Sequence, residues 1–195
     1  GPEWRVLLKH QVPPDTWEVF PLAQYVAHDK ASMIHHDLGQ FVTNRETLTW
    51  TLALGFCMSG RPAAAGLASE SNRQWLIWLD RVQKSICARY VGEPVGGFVH
   101  HRGPAPTVDH DGTIDATYGS VRILANLGGA PRDVGGVALP PLGFAASAPG
   151  LRAGEVAGED AAADPLAYVA EVGEGGGDIW LRGPGQERVD IPLPP

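Results

Sequence analysis

Cysteine is scarce in this sequence, with two among 195 residues. Cys57 and Cys87 stand far apart, each in an apolar stretch, which excludes a short-spaced metal-ligating pair and predicts two core thiols. Positive charge is also short. Fifteen Lys and Arg against 22 Asp and Glu give a net charge of −7. No basic face is left to displace counterions from a phosphate backbone, so nucleic acid is excluded as a partner. No apolar run reaches the roughly 18 residues of a membrane-spanning helix, no signal-peptide pattern is present, and no membrane partner is expected. A nucleophile elbow of the form GxSxG is missing. The glycine-rich stretch 173–177 has neither a following lysine nor a helix, which excludes a phosphate loop. No repeat has a solenoid period.

What is present suffices for an ordinary core, since 44% of the residues are apolar and 19% charged. The length suits one large domain or two small ones. Up to about residue 92 the chain alternates strand and helix signals. Trp4 to Val12 reads as a strand ended by Pro13-Pro14, residues 21–30 as about two turns of helix, and Ser32 to Leu38 as an apolar strand that turns polar at its end. Thr43-x-x-Glu46 reads as a capping box, with Leu48, Thr51, Leu52 and Gly55 following at helical spacing. Residues 55–62 form a further short strand. A second box, Ser71-x-x-Gln74, opens a helix whose buried stripe is predicted as Trp75, Leu79, Val82 and Ile86, stopped by Gly92. Strand, helix, strand, helix implies neighbouring parallel strands.

After Gly92 glycine and proline become frequent, and runs of β-forming residues stand between turns: 113–120, 121–128, 136–149, 166–173 and 178–184. Their spacing predicts an antiparallel sheet or sandwich. Alternation of Val121, Ile123 and Ala125 against Arg122, Leu124 and Asn126 is incomplete, which predicts a strand covered on both faces. The expected organisation is therefore α/β over 1–92, then an antiparallel β domain over 93–195.

Two β/α units cannot close a barrel by themselves, and parallel strands need neighbours and helical cover. Either the units join a small mixed sheet in one compact domain, or they are the last units of a (β/α)8 barrel whose first strands lie outside this chain. The second is favoured. The chain opens on Gly1-Pro2 rather than methionine, which fits a chain beginning partway through a longer product.

The stretch Ser32-Met-Ile-His-His-Asp37, an apolar strand ending in His36-Asp37, is followed by a helix, a short glycine-bounded strand, a last helix and a β-sheet domain. This order resembles the end of a glycoside-hydrolase barrel of the α-amylase type. It is closer still to a group of bacterial glycosidase-like barrel proteins, through "HDL", "LTWTLALG", "WLIWLDRVQK" and the passage Ala125 to Ala146. The resemblance covers most of residues 17–150 and rests on the order of features. It implies that 32–37 is the seventh barrel strand, 55–60 the eighth, and 71–90 the last barrel helix. It further implies hydrolysis of a glycosidic bond, with a carbohydrate substrate and no cofactor. Asp37 and His36 would contact the sugar at the cleavage site, while nucleophile and acid come from barrel strands outside this chain. That absent portion is then the implied partner, and the chain alone is expected to be inactive.

The physical reasoning is compatible. Active sites of parallel barrels lie at the carboxyl ends of the strands. A carboxylate there stabilises positive charge developing on a sugar ring, and a neutral imidazole can bond ring hydroxyls. His35, Gln40 and Arg61 are candidates for the same rim. The plainer alternative for His36 and Asp37 is a strand-end pair satisfied within the protein. A metal site is disfavoured because period-two geometry sends His35 and Asp37 to one side and His36 to the other. His100-His101 is a second histidine pair. Asp109-His110-Asp111-Gly112 has the chemistry of a tight turn and lacks the ligands of a calcium loop. Trp75 and Trp78 are expected in the core; Trp17, Trp50 and Trp180 are open to packing or sugar stacking. The rival function is a non-catalytic α+β module that binds carbohydrate or protein.

Overall fold

A computed structural model describes residues 21–35, 42, 44–58, 69–102, 112–157 and 165–183. The expected strand at Trp4 to Val12 and the turn at 109–111 lie outside these residues.

The first helix, α1 (Leu22–Ala27), is inverted. It buries Gln24, followed one turn later by His28, while Leu22, Tyr25 and Val26 face outward. Strand β1 (Ile34–His35) pairs in parallel with β2 (Cys57–Met58), in register Ile34↔Cys57 and His35↔Met58. Helix α2 (Arg45–Ala53) connects them. Its cap corrects the sequence expectation by one position: Asn44, not Thr43, is the N-cap, and its Oδ1 accepts the Thr47 amide at 2.8 Å. Asparagine is among the strongest N-capping residues and ranks above threonine. Gly55 lies beyond α2 rather than on its face. With φ +68°, it lets the Gly55 and Phe56 amides fold back onto the Leu52 and Thr51 carbonyls, closing a Schellman end.

Helix α3 (Glu70–Val82) starts two residues ahead of its predicted box. Ser69 is the flanking residue, Ser71 lies inside the helix, and the Glu70 carboxylate takes bonds from Arg73 and Gln74. Trp78, Leu79 and Val82 are buried, and Trp75, predicted in the stripe, is only half-buried. A π-helical turn (Gln83–Cys87) then inserts a residue into the helical repeat and carries Ile86 and Cys87 inward, before the single turn α4 (Ala88–Tyr90). Gly92, at φ +79°, ends the segment as predicted.

The remainder is antiparallel β: β3 (Val95–Arg102), β4 (Gly112–Tyr118), β5 (Val121–Asn126), β6 (Arg132–Val134), β7 (Val137–Leu139), β8 (Phe144–Ala148), β9 (Leu151–Val156), β10 (Leu166–Gly173) and β11 (Gly176–Arg182). Seven of these form one sheet in the order β11-β10-β9-β8-β5-β4-β3. Chain neighbours pair throughout, except that the β6–β7 hairpin is inserted between β5 and β8. The helices cover one face. Leu48, Leu52, Trp78, Ile86 and Tyr90 share a single core with Tyr118, Ile123, Phe144, Leu151 and Val169, so the helical segment and the sheet bury each other. On the opposite face the hairpin residues Val134 and Leu139 cover Leu124. That explains the broken alternation of β5: its central residues are buried on both faces. No helix among the described residues is long and apolar enough to cross a membrane.

Candidate functional site

His35 ends β1, and its backbone pairs with Met58 at the end of β2. Parallel pairing carries the carboxyl ends of both strands to one end of the pair. His36, Asp37, Gln40 and Arg61, the other candidates, lie outside the described residues. Behind the strand ends, the Met58 amide donates to Gln83 Oε1 at 2.9 Å. The first residue of the π-helical turn thereby fixes β2.

The amino end of α2 opens onto a cleft of about 400 Å³ between the helices and the sheet, lined by Asn44, Arg45, Trp75, Glu155, Pro165 and Arg182 among others. Its floor is an ion pair. Arg45 donates through Nε and Nη2 to the Glu155 carboxylate and through Nη2 to the Pro141 carbonyl at 2.7 Å. Glu155 is almost completely buried, so these charge-assisted bonds replace its lost hydration. Trp75 is anchored by its Nε1–H to the Val42 carbonyl at 2.7 Å. The Arg182 guanidinium sits 5.3 Å from the centre of the Trp75 ring, a cation–π distance. Beside the cleft, Thr49 Oγ1 donates to the Leu142 carbonyl at 2.6 Å. This set pairs a half-buried aromatic with arginine and carboxylate groups.

None of Arg45, Glu155 and Arg182 stands out in the sequence. Arg45 and Glu155 are 110 positions apart, and no local pattern connects them. Trp75 was legible only as a core residue. The core role belongs to Trp78, stacked on Trp180 at 5.2 Å with an interplanar angle of 2°. Trp50 is core as well, and the half-buried Trp180 packs against that core.

The two cysteines are buried and reduced. A hydrogen bond from Cys87 pulls the Cys57 thiol down to about 7, against the opposing effect of burial. Burial first, then the bond to Cys57, pushes Cys87 well up. Tyr90 Oη lies 3.1 Å from Cys87 Sγ and donates to the Phe56 carbonyl at 2.6 Å. Among the described residues no group of three or more His, Cys, Asp or Glu side chains is placed to hold a metal ion.

No protein-family model, no curated protein and no solved structure matches this chain.

Proposed function

We propose that this chain is the C-terminal part of a glycoside hydrolase, its first half supplying the last β/α units of a barrel. His36 and Asp37 would position the sugar and stabilise its developing charge. His35, Gln40 and Arg61 would line the same rim, and the nucleophile and acid would lie on barrel strands outside this chain. The observation that carries the reading is the parallel pairing of Ile34–His35 with Cys57–Met58 across helix α2. A right-handed strand–helix–strand unit is the repeat from which such barrels are made. A pair of parallel strands also needs neighbours and cover. The outward apolar residues of α1 and the half-exposed Ile34 supply a surface for them.

In the proposed reaction, bond cleavage places positive charge on the sugar ring. Asp37 opposes that charge electrostatically, and His36 holds a ring hydroxyl. The isolated chain is expected to turn over no glycoside; hydrolysis by it alone would overturn the proposal. In a protein that contains the complete barrel, Asp37→Ala is expected to lower kcat by roughly 10²–10³, the usual scale for one transition-state electrostatic partner. An unchanged kcat would remove Asp37 from the site.

The shared core of helices and sheet favours a second reading, a self-contained α+β module that binds carbohydrate or protein without chemistry. A chain that melts as a monomer in one transition and shows no self-association would favour that module.

A further inference from the structure

Cys57 and Cys87, two unrelated core thiols in the sequence, meet in the fold. Cys57 lies on β2, Cys87 is the last residue of the π-helical turn, and both belong to the shared core. On either side of Cys57 the backbone is tied to the helical segment that carries Cys87. The Met58 amide donates to Gln83 Oε1 at 2.9 Å, and the Phe56 carbonyl accepts the Tyr90 hydroxyl at 2.6 Å. Cys87 Sγ lies 4.0 Å from that carbonyl and 3.1 Å from Tyr90 Oη. Held between these two ties, Cys57 faces Cys87 and shares a hydrogen bond with its thiol. Thiols in such contact need little side-chain movement to reach the disulfide bond length of about 2.05 Å.

The two sulfurs are not equivalent. Cys57 keeps 7% of its surface and Cys87 none, so a small reagent from solvent meets Cys57 first. Cysteine reacts as its thiolate, and the Cys87 hydrogen bond stabilises that form of Cys57. Among the described residues no cluster of metal-ligating side chains claims either thiol. Neither takes part in the sugar chemistry proposed above, so the two readings stand or fall separately.

We propose that Cys57 and Cys87 are a peroxide-reactive pair, with Cys57 the attacking sulfur and Cys87 the resolving one. The Cys57 sulfur attacks one oxygen of hydrogen peroxide, the O–O bond breaks, and the departing hydroxide takes the Cys57 proton as water. Cys57 is left as a sulfenic acid. The Cys87 sulfur then attacks the Cys57 sulfur, the S–O bond breaks, and the departing hydroxide takes the Cys87 proton as a second water. Two electrons pass from the thiol pair to the peroxide. The product is an intramolecular disulfide between β2 and the π-helical turn, which thiol reductants reverse. Because Cys87 is already in contact, it outpaces a second peroxide and keeps Cys57 from the irreversible sulfinic state.

The test treats the reduced full chain with hydrogen peroxide, caps the remaining thiols with N-ethylmaleimide under denaturing conditions, and reads intact mass and non-reduced peptides. The expected product is monomeric, two mass units lighter than the reduced chain, and takes up no N-ethylmaleimide. It yields one linked peptide pair, Cys57 to Cys87, which dithiothreitol separates. In Cys87→Ala the reaction should stop at a Cys57 sulfenic acid that dimedone traps. In Cys57→Ala, Cys87 should stay reduced at a peroxide concentration that fully oxidises the unmodified chain. Two capped thiols after treatment, sulfinic acid without a linked peptide, or a disulfide between two chains would each overturn the proposal, as would undiminished oxidation of Cys87 in Cys57→Ala. The unmodified chain alone decides the first three, so the proposal can be refuted even where a variant fails to fold.

Discussion

The Arg45 guanidinium binds the Glu155 carboxylate through two nitrogens, at 3.2 Å from Nε and 2.9 Å from Nη2, with the glutamate side chain 2% exposed and the arginine 24%. This contact fixes the amino end of α2 to strand β9. Removing the arginine leaves a carboxylate buried without its counter-charge, whereas removing the carboxylate leaves an arginine that still reaches water. The asymmetry gives the first prediction. Arg45→Met destabilises by about 3 kcal/mol, the low end of the range for breaking a buried pair because Arg45 is partly hydrated. Glu155→Gln costs less than half as much. Thermal melts of the two variants check the order. The double variant Arg45→Met/Glu155→Leu should recover part of the loss, since no lone charge remains buried.

How far the sequence anticipates this architecture follows from the range of each interaction. The alternation of strand and helix between residues 21 and 92 and the antiparallel runs after it are local patterns, and both are found among the described residues. The incomplete alternation of Val121 to Asn126 foretold burial on both faces because period-two patterns report directly on sheet faces. The helix starts fall one and two residues from the predicted boxes, at Asn44 rather than Thr43 and at Ser69 rather than Ser71, where nearby residues of capping type compete. Strand β9 was not anticipated. Its Arg152, Gly154 and Glu155 depress the local β signal, and the buried Glu155 is met there by Arg45 from another element. The choice of Trp78 over Trp75 for the core depends on Trp180, a hundred residues on. Arg45, Glu155 and Arg182 gave no signal, since a cleft built from distant segments has no spacing.

Trp78 carries the second prediction. It stacks between Trp180 and Phe144, is fully buried, and its Nε1–H has no hydrogen-bond partner among the described residues. Trp78→Ala should cost about 3–5 kcal/mol through the cavity it leaves. Trp78→Phe should cost much less than its lost volume implies, because it also removes a buried donor worth about 1–3 kcal/mol when unsatisfied. Denaturant melts distinguish the two, and a phenylalanine variant as unstable as the alanine one would contradict this account.

Two glycines with nearly the same backbone should respond differently to alanine. Gly55 and Gly92 have φ of +68° and +79°, so each incurs the left-handed penalty of about 1–2 kcal/mol. A Cβ at Gly92 meets nothing within 4 Å, whereas at Gly55 it comes within 2.7–2.8 Å of His28 and the Tyr118 ring. Overpacking adds about 1–3 kcal/mol there. Gly55→Ala should therefore melt several degrees below Gly92→Ala, and matching melting temperatures would show that the Gly55 neighbours can yield.

The thiols should differ in reactivity. The nucleophile is the thiolate. The Cys87 hydrogen bond brings Cys57 to about 7, while burial holds Cys87 protonated. Iodoacetamide at pH 7.5 should modify Cys57 at least tenfold faster than Cys87, with the Cys57 rate rising between pH 6 and 8 and levelling above. Mass spectrometry of the two cysteine peptides over time reads both rates. Cys87→Ala removes the bond donor, and the pH dependence of Cys57 labelling should move upward.

The inverted polarity of α1 makes the last prediction. Leu22 is 62% exposed and Val26 61%, one turn apart on one face, with Tyr25 beside them and Ile34 of β1 at 49%. The inward residues are the polar Gln24 and His28. A helix ordinarily turns its apolar stripe toward the core, so this one presents to solvent the side that a neighbouring layer would cover. Leu22→Lys and Val26→Lys together should leave the melting temperature within about 2 °C, because surface changes cost little. The same pair should abolish concentration-dependent self-association of the isolated chain in sedimentation velocity. In a protein containing the whole proposed barrel, the pair should instead destabilise strongly, since two charges would then be buried without partners. Equal effects in both settings would mean that this face has no neighbour in the larger protein, and the proposed barrel would lose the surface on which it is built.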